Sequence, residues 1–480
     1  MKLLYSLLLL CFSCALFAKD GYEIRVKLEN YEQKQLVLGY HFGDKQYIKD
    51  TATIDNTGWF TFKGDKELDG GMYLIITLPE KQFFQVLISK GEQHFSMMTD
   101  AKMPTEKCKV KGSPDNELFY NYMQWLGAKR ETAEKLRLEM KKDSANTKKV
   151  AEISAKLDGF DKEVKDYQLN LIAKNKSTLT AAILNASLDV EVPKFSGTEK
   201  EQQNNRYFWY KAHFFDHFDF ADPRMIRTPV LYNRTDYYLS KLVVQHPDSL
   251  IQGVDIVMKL AKKNPETYKF YLITLLNAYA KSNIVGQDGL YVHLARNYYE
   301  KGECGSWIEK DELDKIIKNA KDIEPTLIGK TGQDLVLEKE DGSKINLYDL
   351  KTPYTLLLFW SPNCGHCQKE MPTIIDFYKK WGGKGQVSMV AVCNEVQDKV
   401  PQCWKYIKEH AGMDWINTSD TYLLSRYPEK YYVKSTPQVY IMDKDKKIIM
   451  KKIAAEQLDT VMEEIIKMDA EKIKEAAGKK

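Results

Sequence analysis

The chain has 480 residues, and at roughly 100–200 residues per domain it is long enough for about three domains, which excludes a single small fold. Lys plus Arg number 71 and Asp plus Glu 67, so the formal charge is only +4 and a dedicated nucleic-acid binder is excluded. Aromatics make up 12% and cysteines number eight, which excludes both a disordered chain and a disulfide-dense scaffold.

Met1–Lys2, the apolar run Leu3–Phe17 and the small residue Ala18 have the form of a secretory signal, expected over residues 1–18. The run is short for a bilayer span. Cleavage after Ala18 removes Lys2, Cys11 and Cys14 and leaves a charge of +3 and six cysteines. Export to the periplasm or cell envelope places those six where disulfides persist. An uncleaved anchor and a lipoprotein are the other readings of this segment.

Residues 19–105 read as a β-sandwich-like domain. Apolar residues alternate at Ile24, Val26 and Leu28, at Leu36, Leu38 and Tyr40, and at Phe60 and Phe62. Met72–Leu78 and Phe83–Ile88 are further strand-like runs, and turn signals at Gly43, Gly58, Gly70 and Gly91 separate them. Residues 106–324 read as an all-α region. Leu118, Tyr122, Trp125 and Leu126 keep helical spacing, and the charged stretch Lys129–Lys174 is read as a solvated helix face. His213 and His217 lie four apart, a spacing that suits a metal on one helix face. The dense phenylalanines around them favour a packed aromatic helix, and no metal site is expected.

Residues 325–480 alternate strand and helix. The strands Leu335–Glu338 and Ile345–Leu347 lead to the buried run Tyr354–Trp360, then a helix, then the strand Val387–Val392, which predicts an α/β domain with parallel pairing. Between that first buried strand and its helix sits Cys364-Gly365-His366-Cys367. A C-x-x-C at a helix start has a physical logic. Unpaired N–H groups and the positive end of the helix dipole stabilise the thiolate of Cys364, and Cys367 lies one turn inward within bonding reach. Zinc needs two more ligands. The pattern therefore predicts a redox disulfide, Cys364–Cys367, as the only redox group, with no added cofactor.

Residues 328–466 resemble the thioredoxin-fold domains of the TlpA/ResA-like branch of exported oxidoreductases. Trp360 stands four before Cys364 and Pro372 five after Cys367; Glu370 fits C-x-x-C-x-x-E-x-P; Ser435-Thr436-Pro437 fits a cis-proline loop before the strand Gln438–Met442; and Asp443–Lys447 fits a hairpin turn. Two positions depart: Asn363 stands where many thioredoxins have Trp, and Leu358 where the strand carries a buried acid. The resemblance implies a thiol:disulfide oxidoreductase in which Cys364 attacks and Cys367 resolves. It further implies that His366 tunes the thiolate, Glu370 moves a proton at Cys367, and Trp360, Thr436 and Pro437 contact the client. It implies client proteins bearing cysteines or disulfides and a membrane electron-donor or acceptor protein as partners. The β-rich and helical segments resemble regions of unknown function that precede such domains. Gly365-His366, as in protein disulfide isomerases, leans toward a more oxidising pair, whereas the branch leans toward reduction, so the direction of electron flow stays open.

Two other readings use the same chain: a client-binding or assembly protein of the envelope with an accessory redox domain, and a thiol peroxidase, for which Ser361 lies three before Cys364. Cys108 with Cys304, and Cys393 with Cys403, are read as buried single thiols or as pairs.

Overall fold

In the computed structural model, residues 21–478 are described; the expected signal segment lies outside them. They pack as two compact units, one running up to Val243 with Asp255–Phe270, the other comprising Val244–Val254 and everything from Tyr271 onward. The helical stretch is thus shared between the two.

The first unit opens with eight strands: β1 (Tyr22–Glu29), β2 (Gln35–Phe42), β3 (Lys45–Thr53), β4 (Phe60–Gly64), β5 (Gly71–Ile76), β6 (Phe83–Ile88), β7 (His94–Asp100) and β8 (Lys109–Lys111). They form two four-stranded sheets, ordered β4-β1-β7-β8 and β3-β2-β5-β6. The alternation that marks β1, β2 and β4 is the burial pattern itself: Ile24, Val26, Leu36, Leu38, Phe60 and Phe62 are all buried. β3 is exposed along most of its length and so carries no apolar alternation. β1 pairs with β7 in parallel, a non-local pairing that no local pattern announces.

Helices follow: α1 (Pro114–Lys142), α2 (Thr147–Lys174), α3 (Leu179–Ser187), α4 (Glu199–His213), α5 (Pro229–Tyr237), α6 (Pro247–Ala261), α7 (Pro265–Ala280), α8 (Asp288–Leu294) and α9 (Lys310–Ile323). Ser113 caps α1, its side chain accepting from the Asn116 N–H, with Pro114 in the first turn. Asp115 is buried and serves as a knot. It accepts from Ser89 Oγ at 2.6 Å, Thr180 Oγ1 at 2.6 Å, Leu179 N at 2.7 Å and Thr180 N at 3.0 Å, tying the end of β6 and the start of α3 to α1. The charged faces of α1 and α2 are solvated, as expected, with Lys129 on Glu163 at 2.8 Å.

The shared-face premise for His213 and His217 fails, because α4 ends at His213. His213 stacks on Trp209 and bonds Asp216 at 2.6 Å, while Phe214, Phe218 and Phe220 are buried just past the helix end. The aromatic packing is real, but it belongs to a turn rather than a helix. Among the described residues no cluster of His, Cys, Asp or Glu is placed to hold a metal, and no helix is long and apolar enough to cross a membrane.

The second unit holds a seven-stranded mixed sheet. Its strands are β9 (Val336–Glu338), β10 (Lys344–Asn346), β11 (Tyr354–Trp360), β12 (Val387–Cys393), β13 (Ile416–Ser419), β14 (Gln438–Asp443) and β15 (Ile448–Lys451), in the order β10-β9-β13-β12-β11-β14-β15. Its helices are α10 (Gly365–Trp381), α11 (Val400–Glu409), α12 (Tyr427–Lys430) and α13 (Leu458–Gly478). β11 is buried on both faces, which is why it reads as a continuous apolar run. Tyr354, Leu356, Leu358 and Trp360 enter one core with Met371, Ile374 and Phe377 of α10; Leu357 and Phe359 enter the other with Tyr427 and Tyr431. β11, β12 and β13 are parallel, with Trp360 opposite Cys393 and Cys393 opposite Ser419. Their carboxyl ends therefore share one edge of the sheet. β14 runs antiparallel to β11, so its first residue, Gln438, opens at that same edge opposite Phe359. In an open α/β sheet such an edge is where ligands meet the fold.

One buried charge stands out in this unit. Lys451 on β15 is 2% exposed and pairs with Asp288 on α8, with Thr326 Oγ1 at 3.2 Å. Burial pushes its ammonium below the usual lysine range, and Asp288 partly restores it.

Candidate functional site

The turn from β11 into α10 presents Cys364 at the helix N-cap with an extended backbone, φ −95° and ψ 113°. Pro372 lies inside α10, as expected. Cys364 is half-buried and Cys367, three residues on, is buried; both are free thiols here. The Cys364 thiol makes no full capping bond. It donates instead to the Thr436 carbonyl at 3.2 Å. Thr436 precedes Pro437 through a cis peptide bond, which is the geometry expected of this loop. The two cysteines and the cis-proline loop thus meet, although 72 residues separate Cys364 from Thr436.

The two thiols are electrostatically unlike. Burial alone pushes Cys364 up, but the N–H of Cys367, the Thr436 side chain, the Cys367 thiol and the N–H of His366 outweigh it, and its pKa falls below the ordinary value. For Cys367 burial dominates and the thiol is pushed up to about 12, with the neighbouring Cys364 adding to the rise. Cys364 is thus the more acidic of the two thiols, and Cys367 the one held protonated.

Three expected site residues occupy places the sequence does not specify. Trp360 is 1% exposed and packs against Tyr406 at 5.3 Å between ring centres, so it cannot touch a client; this corrects the expectation of a binding residue. It floors the site instead. The His366 side chain is exposed, and the contribution that reaches Cys364 comes from its backbone N–H. Glu370 is half-exposed and accepts from the Ala455 N–H at 3.4 Å. Cys393 and Cys403 are not single thiols: they form a disulfide, with their Cα atoms 6.3 Å apart. Cys108 and Cys304 are each buried and free.

Sequence reasoning missed Glu395. It follows the carboxyl end of β12, and its Oε1 accepts from Ser361 Oγ at 2.5 Å and from Asn363 Nδ2 at 3.1 Å. Asn363 Nδ2 also donates to Gln402 at 2.8 Å. The usable signal was topological: residues just past the ends of adjacent parallel strands gather at one edge.

A thioredoxin-like family matches residues 353–448. Residues 22–119 match a domain of unknown function, DUF4369, and residues 141–322 another, DUF5106. Over 149 residues the chain is 30% identical to the thiol-disulfide oxidoreductase ResA of Bacillus cereus, which covers 30% of this chain and 82% of that protein. Among solved structures it is similar to a thioredoxin-like protein from Bacteroides caccae, at 15% identity and a TM-score of 0.45, covering 57% of this chain and 96% of the other. It is also similar to the thioredoxin domain of a thiol-disulfide oxidoreductase from Bacteroides vulgatus, at 22% identity and a TM-score of 0.26, covering 29% and 96%.

Proposed function

The chain belongs to the ResA-like thiol-disulfide oxidoreductases, and we propose that it works outside the cytosol, with Cys364 as the nucleophile and Cys367 as the resolving thiol. The observation that carries this reading is the pairing of a half-buried Cys364, lowered in pKa at a helix start, with a buried Cys367 raised to about 12.

In the reducing direction the Cys364 thiolate attacks one sulfur of a client disulfide. The S–S bond breaks, the other client sulfur leaves as a thiolate and takes a proton, and a mixed disulfide forms. Cys364 then no longer bears a thiol, so its own contribution to raising Cys367 disappears. Cys367 loses its proton, attacks Cys364 Sγ and releases the second client thiolate. The client gains two electrons and the enzyme closes Cys364–Cys367. The same steps run backward to oxidise a client. Glu370, three residues beyond Cys367 on α10, shares its helix face and is the carboxylate for that proton. Thr436 offers backbone groups to an extended client segment beside the nucleophile, and Pro437 donates no N–H there. The cysteine pair is the redox group, and a membrane protein that supplies or takes electrons completes the cycle.

Export is supported by the apolar segment Leu3–Phe17 and by the buried Cys393–Cys403 disulfide, since such bonds persist in oxidising compartments.

Insulin reduction with dithiothreitol tests the chemistry. Cys364→Ser is expected to abolish activity, and Cys367→Ser to accumulate mixed disulfides through Cys364. Wild-type turnover by Cys364→Ser would end this reading. Cell fractionation tests the location, and recovery of the mature protein in the cytosol would refute export.

A further inference from the structure

The residue just before the nucleophile is held from outside its own loop. Asn363 is exposed, yet its side-chain amide donates both to Glu395 Oε1 at 3.1 Å and to Gln402 Oε1 at 2.8 Å. A carboxylate only accepts, so the Asn amide group is the right partner for it. The Asn363 N–H donates to Ser361 Oγ at 3.0 Å, and that hydroxyl donates onward to Glu395 Oε1 at 2.5 Å. The Cys364 N–H donates to the Ser361 carbonyl at 3.3 Å. Glu395 therefore grips both Ser361 and Asn363, and through them the backbone of Cys364.

Glu395 and Gln402 come from different elements. Glu395 follows β12 by two residues and Gln402 lies on α11. The Cys393–Cys403 disulfide joins these elements, with one half-cystine two residues before Glu395 and the other directly after Gln402. Both half-cystines are buried, in the same core as Cys367 and Trp360. The bond thus fixes the spacing between the two acceptors that Asn363 bridges.

We propose that Glu395 and Gln402 are positioning residues for the nucleophile, held in register by the Cys393–Cys403 disulfide. Neither touches the sulfur. They act by keeping Ser361–Asn363 in the one conformation that aims Cys364 Sγ at the first-turn N–H groups of His366 and Cys367. This accounts for Asn at a position where many thioredoxins carry Trp: the amide is one part of a clamp whose other parts lie 32 and 39 residues downstream. The inference rests on Cys364 being the nucleophile.

The test uses the full chain and reads two quantities: the pH profile of Cys364 alkylation, and the thiol–disulfide equilibrium of Cys364–Cys367 against glutathione. Glu395→Ala is expected to slow Cys364 alkylation at pH 7 by about three- to tenfold, the worth of one hydrogen bond. Glu395→Gln keeps an acceptor at Oε1 and is expected to stay within about twofold of wild type. The double variant Cys393→Ala/Cys403→Ala should move the profile in the same direction as Glu395→Ala, and combining the two should add little, because they act on one clamp. An unchanged profile and equilibrium in Glu395→Ala overturns the proposal. So does an equal effect of Glu395→Gln, which would mean that charge rather than geometry acts. If the double cysteine variant does not fold, Gln402→Ala takes its place, and a wild-type profile there removes Gln402 from the clamp. Failure of the nucleophile assignment looks different: Cys364→Ser would then stay active, whatever Glu395 does.

Discussion

Raising the pH on the reduced protein should separate its two active-site thiols. Cys364 lies below the ordinary thiol value of 9.0, and Cys367 is pushed up to about 12. At any pH below 9 the thiolate population of Cys364 should therefore exceed that of Cys367 at least about a thousandfold, one factor of ten for each pKa unit. Pulsed iodoacetamide labelling with peptide mapping reads this directly, since only the thiolate reacts. Labelling of Cys364 should reach half its maximum below pH 9, while Cys367 stays unlabelled until strongly alkaline pH. Cys364→Ser removes the hydrogen bond and charge through which Cys364 raises Cys367, but not the burial, which is the largest cause. Cys367 should thus remain slow in that variant. The same asymmetry acts on stability. Above pH 9 the unfolded chain ionises Cys367 while the folded one holds its proton, so the unfolded state binds fewer protons. Cys367 alone should withdraw about 4 kcal/mol of stability from the reduced fold between about pH 9 and about pH 12, read as the difference between wild type and Cys367→Ser. Comparable labelling of both cysteines at pH 7, or labelling of Cys367 at the rate of a free thiol in Cys364→Ser, would refute the reasoning.

Three further outcomes are expected. Asp115→Ala strips a buried acceptor from two hydroxyls and two N–H groups; it should cost the first unit about 3–5 kcal/mol in urea unfolding, and a loss under about 1 kcal/mol would contradict the knot. Lys451→Met leaves Asp288 without its cation in a buried setting and should cost about 3–5 kcal/mol, most of it recovered by adding Asp288→Leu; no recovery in the double variant would contradict the pairing. Opening Cys393–Cys403 by Cys393→Ala/Cys403→Ala frees a loop with a sequence separation of 10, worth about 2.7 kcal/mol of chain entropy at 25 °C; an unchanged urea midpoint would show that the bond does not constrain the unfolded chain.

What could be read from the sequence was local. The alternation of β1, β2 and β4, the doubly buried run of β11 and the cysteine pair at a helix start are each set by neighbouring residues, and each stands where expected. The motif Ser435-Thr436-Pro437 carried its cis bond and its place beside Cys364. What could not be read was either non-local or without contrast. β3 has no buried face along most of its length to announce it. The parallel partnership of β1 with β7 joins segments some seventy residues apart. Trp360 keeps its family position, but only the packing of α11 over it, through Tyr406, makes it a floor rather than a contact surface.

The two readings of Cys393 and Cys403 show why the difference matters for function. Their spacing is uninformative alone, because a strand end and a helix ten residues later can approach or diverge. The approach is decided by the sheet. β12 must lie beside β11 to bury Val390 and Val392 on one face and Met389 and Ala391 on the other. That pairing sets Cys393 opposite Trp360 and carries Glu395 past the strand end onto the turn that bears Cys364. Once β12 is fixed, α11 closes over Trp360 and brings Cys403 and Gln402 with it. The hydrophobic pairing of two strands thus delivers, at one edge, Cys364, the Glu395 and Gln402 acceptors that bond its turn and the Cys393–Cys403 disulfide beside them. The C-x-x-C motif is legible in nine residues; the contacts of Glu395 and Gln402 with its turn exist only after the sheet has formed.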